Sequence, residues 1–245
     1  MSKIFLAVLT VFTGIGVQAQ QPKWDSTFRP ANYARQLENF RNYPNAPSDI
    51  IMLGNSITDY ADWNELLGIC EVKNRGISGD ITFGILERLD EITEGKPAKV
   101  FILIGINDIA RNIPDSIILD NYKRIIHRIR SASPATKIYF NTLLPVNKTF
   151  PEKNHFNKDV NILHINEELK KIGKSEGIVV IDTHPHFLDT EQMLNKSLTY
   201  DGLHLNAAGY KVWASILKPY IKNPVTKCYL PVLLLAFNSC RKSRI

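Results

Sequence analysis

Short apolar runs alternate along this chain with longer segments in which apolar residues recur every three to four positions. The runs are Asp49 to Leu53, a short piece around Val72, Lys99 to Ile104, Lys137 to Phe140, and Ile178 to Ile181. Each is rich in β-branched and aliphatic residues, the pattern of strands covered on both faces, as in a parallel sheet. The periodic segments predict helices. Pro30 to Asn42 carries Tyr33, Leu37 and Phe40 on one face, and Ile81, Ile85, Leu89 and Ile92 mark the next. Ile118, Tyr122, Ile125, Ile126 and Ile129 mark a third, Ile162, Ile165, Leu169 and Ile172 a fourth, and Val212, Ile216 and Tyr220 the last. A helix followed by strands alternating with helices predicts a parallel α/β sheet with right-handed crossovers. In such sheets ligands bind beyond the carboxyl ends of the strands, so chemistry is sought there.

The two ends do not share this pattern. Residues 1–19 have Lys3 before an apolar stretch from Ile4 to Val17, then Val17-Gln18-Ala19 as small residues before a cleavage point. That is the pattern of a signal peptide, and the run falls short of the roughly 20 residues a spanning helix needs. The expectation is export to the periplasm or the exterior, with no stable membrane insertion once the signal is removed. Residues 20–222 are expected to form one domain, because no Pro/Gly/Ser-rich linker divides them. The apolar stretch Leu230 to Cys240 is out of character with that domain, and 223–245 are expected to be a poorly ordered tail.

Charge changes the picture only by what it removes. The net +6 comes from Lys3 at one end and Lys222, Lys227, Arg241, Lys242 and Arg244 at the other, which leaves 24 basic and 24 acidic residues in 20–221. A neutral body gives no support for nucleic-acid binding. The three cysteines, Cys70, Cys228 and Cys240, show no metal-type spacing and no disulfide framework.

Four polar blocks fall at strand ends: Gly54-Asn55-Ser56-Ile57-Thr58, Asn74-Arg75-Gly76-Ile77-Ser78-Gly79-Asp80, Gly105-Ile106-Asn107-Asp108, and Asp201-Gly202-Leu203-His204. Ser56 is either a helix cap or a nucleophile, and a serine nucleophile needs a base within hydrogen-bond reach. Asp201 and His204, three residues apart, are suited to supply it: a carboxylate holds the imidazole in one tautomer while the other nitrogen faces a hydroxyl. A turn aspartate and a packed histidine would give the same letters. An acyl-transfer site also needs N–H groups where negative charge develops. Gly79 can bring its backbone N–H close, and Asn107 can offer a side-chain amide; each is also an ordinary loop residue. His184-Pro185-His186 could be a metal pair but lacks a third ligand. Trp63 lines either a pocket or the core. Arg75 and Asp80 flank Gly79 and reach either substrate or each other.

Taken together, Ser, Gly, Asn and His in this order, each in its own block, resemble the SGNH hydrolases, also called the GDSL family. The resemblance runs from about Asp49 to the terminal helix. It implies a flavodoxin-like three-layer α/β/α sandwich. It further implies Ser56 as nucleophile, His204 as general base and Asp201 as its orienting carboxylate. Ser56, Gly79 and Asn107 would form the oxyanion hole, with no metal or cofactor. Asn55 departs from the family's usual Gly-Asp-Ser, replacing a carboxylate beside the nucleophile.

The blocks "GNSITD", "NRGISGD" and "IGINDI" look most similar to sialate O-acetylesterases and platelet-activating-factor acetylhydrolase-like members. Only about sixteen residues separate Ser56 from the second strand, and no long apolar insertion suggests a lipid lid. The expectation is a secreted serine esterase that removes small acyl groups, acetyl above all, from carbohydrate esters, small-molecule or glycan, O-acetylated sialic acid among them. The alternatives are a lysophospholipase or thioesterase on the same site, or a carbohydrate-binding protein that has lost catalysis.

Overall fold

The computed structural model describes residues 24–221. The expected signal peptide and tail, and so the ends of the domain reading, lie outside the described residues.

Five strands form one all-parallel sheet: β1 (Ile50–Gly54), β2 (Val72–Gly76), β3 (Lys99–Leu103), β4 (Lys137–Asn141) and β5 (Val179–Ile181), in the order β2-β1-β3-β4-β5. β1 pairs in step with both neighbours, Gly54 lying opposite Gly76 on one side and Leu103 on the other. The chain therefore leaves β1 toward one edge and returns on the other side of it. That reversal opens a crevice at the carboxyl ends of β1 and β3, where doubly wound sheets bind ligands.

Alternation of side chains across the sheet explains why both faces are apolar. Tyr139 of β4 stacks on Phe101 of β3 (4.5 Å between centroids) and meets Tyr220 of α9 (Ala207–Ile221) at 5.9 Å. The next residue, Phe140, points the other way and meets Tyr122 of α7 (Asp115–Ala132) at 5.1 Å. On the α7 side lie α4 (Thr82–Glu87), α5 (Leu89–Glu94) and α8 (Asp159–Glu176), packed against one another. On the α9 side lies α3 (Trp63–Leu67). The result is the three-layer α/β/α sandwich that the family resemblance implies, built on the parallel sheet that the alternation predicts. α1 (Tyr33–Asn42) adds a small cluster of Tyr33, Leu37 and Phe40 with Ile77.

One detail differs from the sequence reading. The helix predicted across Ile81, Ile85, Leu89 and Ile92 is broken at Arg88, whose backbone (φ −106°, ψ 15°) leaves the helical region. Its guanidinium is drawn inward, where it donates to Asp80 Oδ2 and to the Gly54 carbonyl, both at 3.1 Å.

Candidate active site

Ser56 is the first residue of α2 (Ser56–Asp59), entered directly from β1. Asn55 supplies the cap: its side-chain oxygen accepts from the Ile57 N–H at 3.0 Å. An asparagine thus performs the local task that a carboxylate would, without the charge, while its Nδ2 is buried with no partner among the described residues. The short helix is clamped from several sides. Asn74 Nδ2 lies 3.1, 2.9 and 2.9 Å from the carbonyls of Thr58, Asp59 and Ala61. Tyr210 Oη donates to the Ile57 carbonyl (2.8 Å), and Trp63 Nε1 to that of Thr58 (2.8 Å). Trp63 is fully buried against Trp213, so it belongs to the core and not to a pocket.

His204 lies in the loop before α9, where Thr199 and Leu205 form an isolated antiparallel bridge. Thr199 Oγ1 donates to the His204 carbonyl at 2.6 Å and accepts from the Gly202 N–H at 3.0 Å, closing the turn. His204 Nε2 lies 3.0 Å from Ser56 Oγ, and its Nδ1 lies 2.8 Å from Asp201 Oδ2. A carboxylate accepts, so Nδ1 carries the proton and Nε2 presents its lone pair to the serine hydroxyl. Asp201 Oδ1 also accepts from the N–H groups of Leu203 (3.0 Å) and His204 (2.8 Å). Burial pulls this carboxyl upward, but the hydrogen bonds from the His204 ring and from both main-chain N–H groups outweigh it and hold it well below the usual range. The two residues that the sequence left 145 positions from Ser56 or further are in hydrogen-bonded series with it.

Gly79 and Asn107 arrive from the ends of β2 and β3. Gly79 has φ +85°, a conformation that favours glycine, and an added Cβ would lie 3.1 Å from Pro30. Among the described residues no acceptor takes the N–H of Gly79 or of Ser56. Asn107 Nδ2 donates to the Asp80 carbonyl at 2.9 Å, which leaves its second hydrogen free and joins the two blocks. Gly105, at the head of α6 (Ile106–Ala110), has φ +130°, and a Cβ there would fall 2.4 Å from Tyr122 Oη. The blocks close on one another further through Ile77 N–H to the Gly54 carbonyl (3.1 Å) and Ser78 Oγ to Asp59 Oδ2 (2.5 Å).

Arg75 and Asp80 neither pair with each other nor face outward. Arg75 bonds Glu91 (2.6 Å) and Asp80 bonds Arg88, all four side chains being buried. Burial raises the Asp80 carboxyl to about 6 despite Arg88. Asp108 is buried with no cation in bonding range among the described residues, and desolvation raises it to about 7 against hydrogen bonds from Thr82 N–H and Oγ1. His184 is engaged by its Nδ1 with the Leu143 carbonyl (2.9 Å) and Asn166 (3.3 Å), which is a structural arrangement.

Three residues escaped the sequence reading. Arg88 stood in plain view as a charge within an apolar helical face. His155 and Lys153 had no such signal: they lie in the irregular segment between β4 and α8. Lys153 Nζ is 3.3 Å from Asp201 Oδ2, and His155 Nε2 is 2.9 Å from Asn107 Oδ1. An open cleft of about 520 Å³ borders His204, lined also by Tyr60, Tyr200, Asp201, Asn206 and Tyr210.

A model of the GDSL-like lipase/acylhydrolase family matches residues 52–212, from within β1 into α9. The chain belongs to that family. As a GDSL-like acylhydrolase it is a carboxylic ester hydrolase. It is 29% identical over 195 residues to the N-acylneuraminate cytidylyltransferase of Escherichia coli O18:K1:H7, covering 78% of this chain but only 44% of that protein. It is 27% identical over 177 residues to the human platelet-activating factor acetylhydrolase IB subunit alpha2, covering 70% of this chain and 73% of that one. A GDSL-like lipase from Bacteroides thetaiotaomicron superposes with a TM-score of 0.68 over 78% of this chain and 97% of its own, at 22% identity, a likeness of fold.

Proposed function

We propose that this GDSL-like acylhydrolase is an exported serine esterase that removes small acyl groups, acetyl above all, from carbohydrate esters. The observation that carries the reading is the unbroken series Ser56 Oγ, His204 Nε2, His204 Nδ1, Asp201 Oδ2, with contacts of 3.0 and 2.8 Å. In the proposed mechanism Ser56 Oγ attacks the ester carbonyl carbon as His204 Nε2 takes its proton. The oxyanion forms against the Ser56 and Gly79 N–H groups and the free Asn107 Nδ2 hydrogen. His204 then protonates the departing alcohol, and a water activated by the same nitrogen releases the acid and restores the serine. Asp201 remains ionised throughout, because its hydrogen bonds favour the charged form.

The cleft supports a sugar over a long acyl chain. Tyr60 and Tyr200 are 58% and 72% exposed beside His204, Tyr60 lying 5.1 Å from its ring, and Asn206 adds a polar rim. Such amphipathic aromatics suit a ligand with apolar faces and hydroxyl edges. An O-acetylated sialic acid is the first sugar to try. The E. coli relative is named for an N-acylneuraminate, although the chain spans less than half of that protein. The second reading, an acetylated phospholipid, is favoured by the name of the human relative. A panel of acetylated sialic acids, acetylated neutral sugars and platelet-activating-factor-type lipids decides between them. Highest kcat/KM on acetylated sugars supports the proposal, and highest kcat/KM on the lipid overturns it.

A further inference from the structure

The segment between β4 and α8 sends one side chain to each half of the proposed machinery, and the more telling of the two is His155. Its Nε2 lies 2.9 Å from Asn107 Oδ1. Asn107 Nδ2 is committed at 2.9 Å to the Asp80 carbonyl, which only accepts, so the amide orientation is fixed and its oxygen faces His155. An amide oxygen cannot donate, so His155 must donate from Nε2 and its Nδ1 is an unprotonated acceptor. That Nδ1 is buried with no partner among the described residues. A fold that keeps an unsatisfied buried nitrogen bears a cost, and the return here is a fixed amide.

We infer that His155 is a positioning residue: by donating to Asn107 Oδ1 it aims the free hydrogen of Asn107 Nδ2 at the developing oxyanion. The inference rests on the reading of Asn107 as an oxyanion donor. Two contacts hold the amide in its plane, Asp80 from the nitrogen side and His155 from the oxygen side. Without the second, the amide can rotate about its last torsion and turn oxygen toward the oxyanion, where a lone pair would repel it. Burial, with repulsion from His204 and Lys153, pushes the ring down to about 4, so it stays neutral and does not compete with His204 for the serine proton. The effect should fall on the transition state, where the oxyanion exists, and leave substrate binding nearly untouched.

The test is a double-mutant cycle on p-nitrophenyl acetate hydrolysis with Asn107→Ala, His155→Ala and both, together with His155→Gln, whose amide N–H can replace the Nε2 donor. Asn107→Ala is expected to lower kcat by about 10²–10³-fold, the effect of removing one oxyanion donor. His155→Ala is expected to lower kcat by roughly tenfold or more with KM within about twofold, and His155→Gln to recover most of that loss. In the Asn107→Ala background, His155→Ala should add less than about threefold, since coupled groups are non-additive. Full activity in Asn107→Ala overturns the oxyanion reading itself. A loss in Asn107→Ala with either no loss in His155→Ala, or the same loss in both backgrounds, overturns the positioning role alone. Should His155→Ala not fold, as judged by its melting temperature, the Gln variant carries the test: kcat near wild type in His155→Gln supports the role, and a kcat as low as that of Asn107→Ala overturns it.

Discussion

Arg88 and Asp80 form an ion pair in which neither side chain touches solvent, and the same guanidinium holds the Gly54 carbonyl two residues before Ser56. Asp80 in turn carries the carbonyl that fixes Asn107. The pair therefore ties the end of β1 to the end of β3 from beneath. Removing one member of a buried pair strands the other charge, at about 3–5 kcal/mol. Arg88→Met is expected to lose that much in urea unfolding, and Arg88→Met with Asp80→Asn to lose clearly less. Equal losses would mean that shape, and not charge, is what Arg88 contributes.

Asp108 gives the fold a pH dependence of known sign. Its carboxyl titrates at about 7 when folded, raised by burial, against about 3.9 in an unfolded chain. Between those values the folded state holds a proton that the unfolded state has released, so stability falls as pH rises from about 4 to about 7. Asp80, raised to about 6, acts in the same direction. Moving from pH 5 to pH 8 should cost the wild type on the order of 2 kcal/mol more than Asp108→Asn, which keeps Asp80. Parallel stability curves for the two proteins would show that Asp108 does not titrate in this range.

Asp201→Asn keeps the shape of the turn but removes the acceptor that selects the His204 tautomer. A fall in kcat of about 10²–10⁴-fold is expected with a nearly unchanged KM. A variant with more than a tenth of wild-type kcat would show that the carboxylate is not needed to orient the ring.

Lys153 makes the opposite kind of prediction. Its contact with Asp201 is 3.3 Å, but both side chains are 31% exposed, and such pairs are worth about 0.2–1 kcal/mol. Lys153→Met should change kcat/KM by less than about fivefold, and by less still at high salt. A loss of more than about a hundredfold would give the lysine a direct part in the chemistry.

The strands and their order of appearance were legible because a doubly covered strand must be apolar throughout; Phe101 and Tyr139 stack as that pattern implies. The four blocks were legible because tight turns at strand ends restrict residue type, as the positive φ of Gly79 and Gly105 illustrates. Periodicity misled at Arg88, where an ion pair within the core outweighed helix continuation. It was silent on Lys153 and His155, because an irregular segment carries no period and its neighbours are set by tertiary packing. Nor did spacing decide whether Arg75 met Asp80 or substrate: each had a buried partner elsewhere, Glu91 and Arg88.

Brief reaction of wild type and Ser56→Ala with p-nitrophenyl acetate, followed by acid quench and peptide mass analysis, shows whether Ser56, served by His204, is the nucleophile. An acetyl group is expected on the Ser56 peptide of the wild type, with no such adduct in the variant and loss of turnover at an unchanged melting temperature. Turnover retained by a folded Ser56→Ala protein would show that another group is the nucleophile.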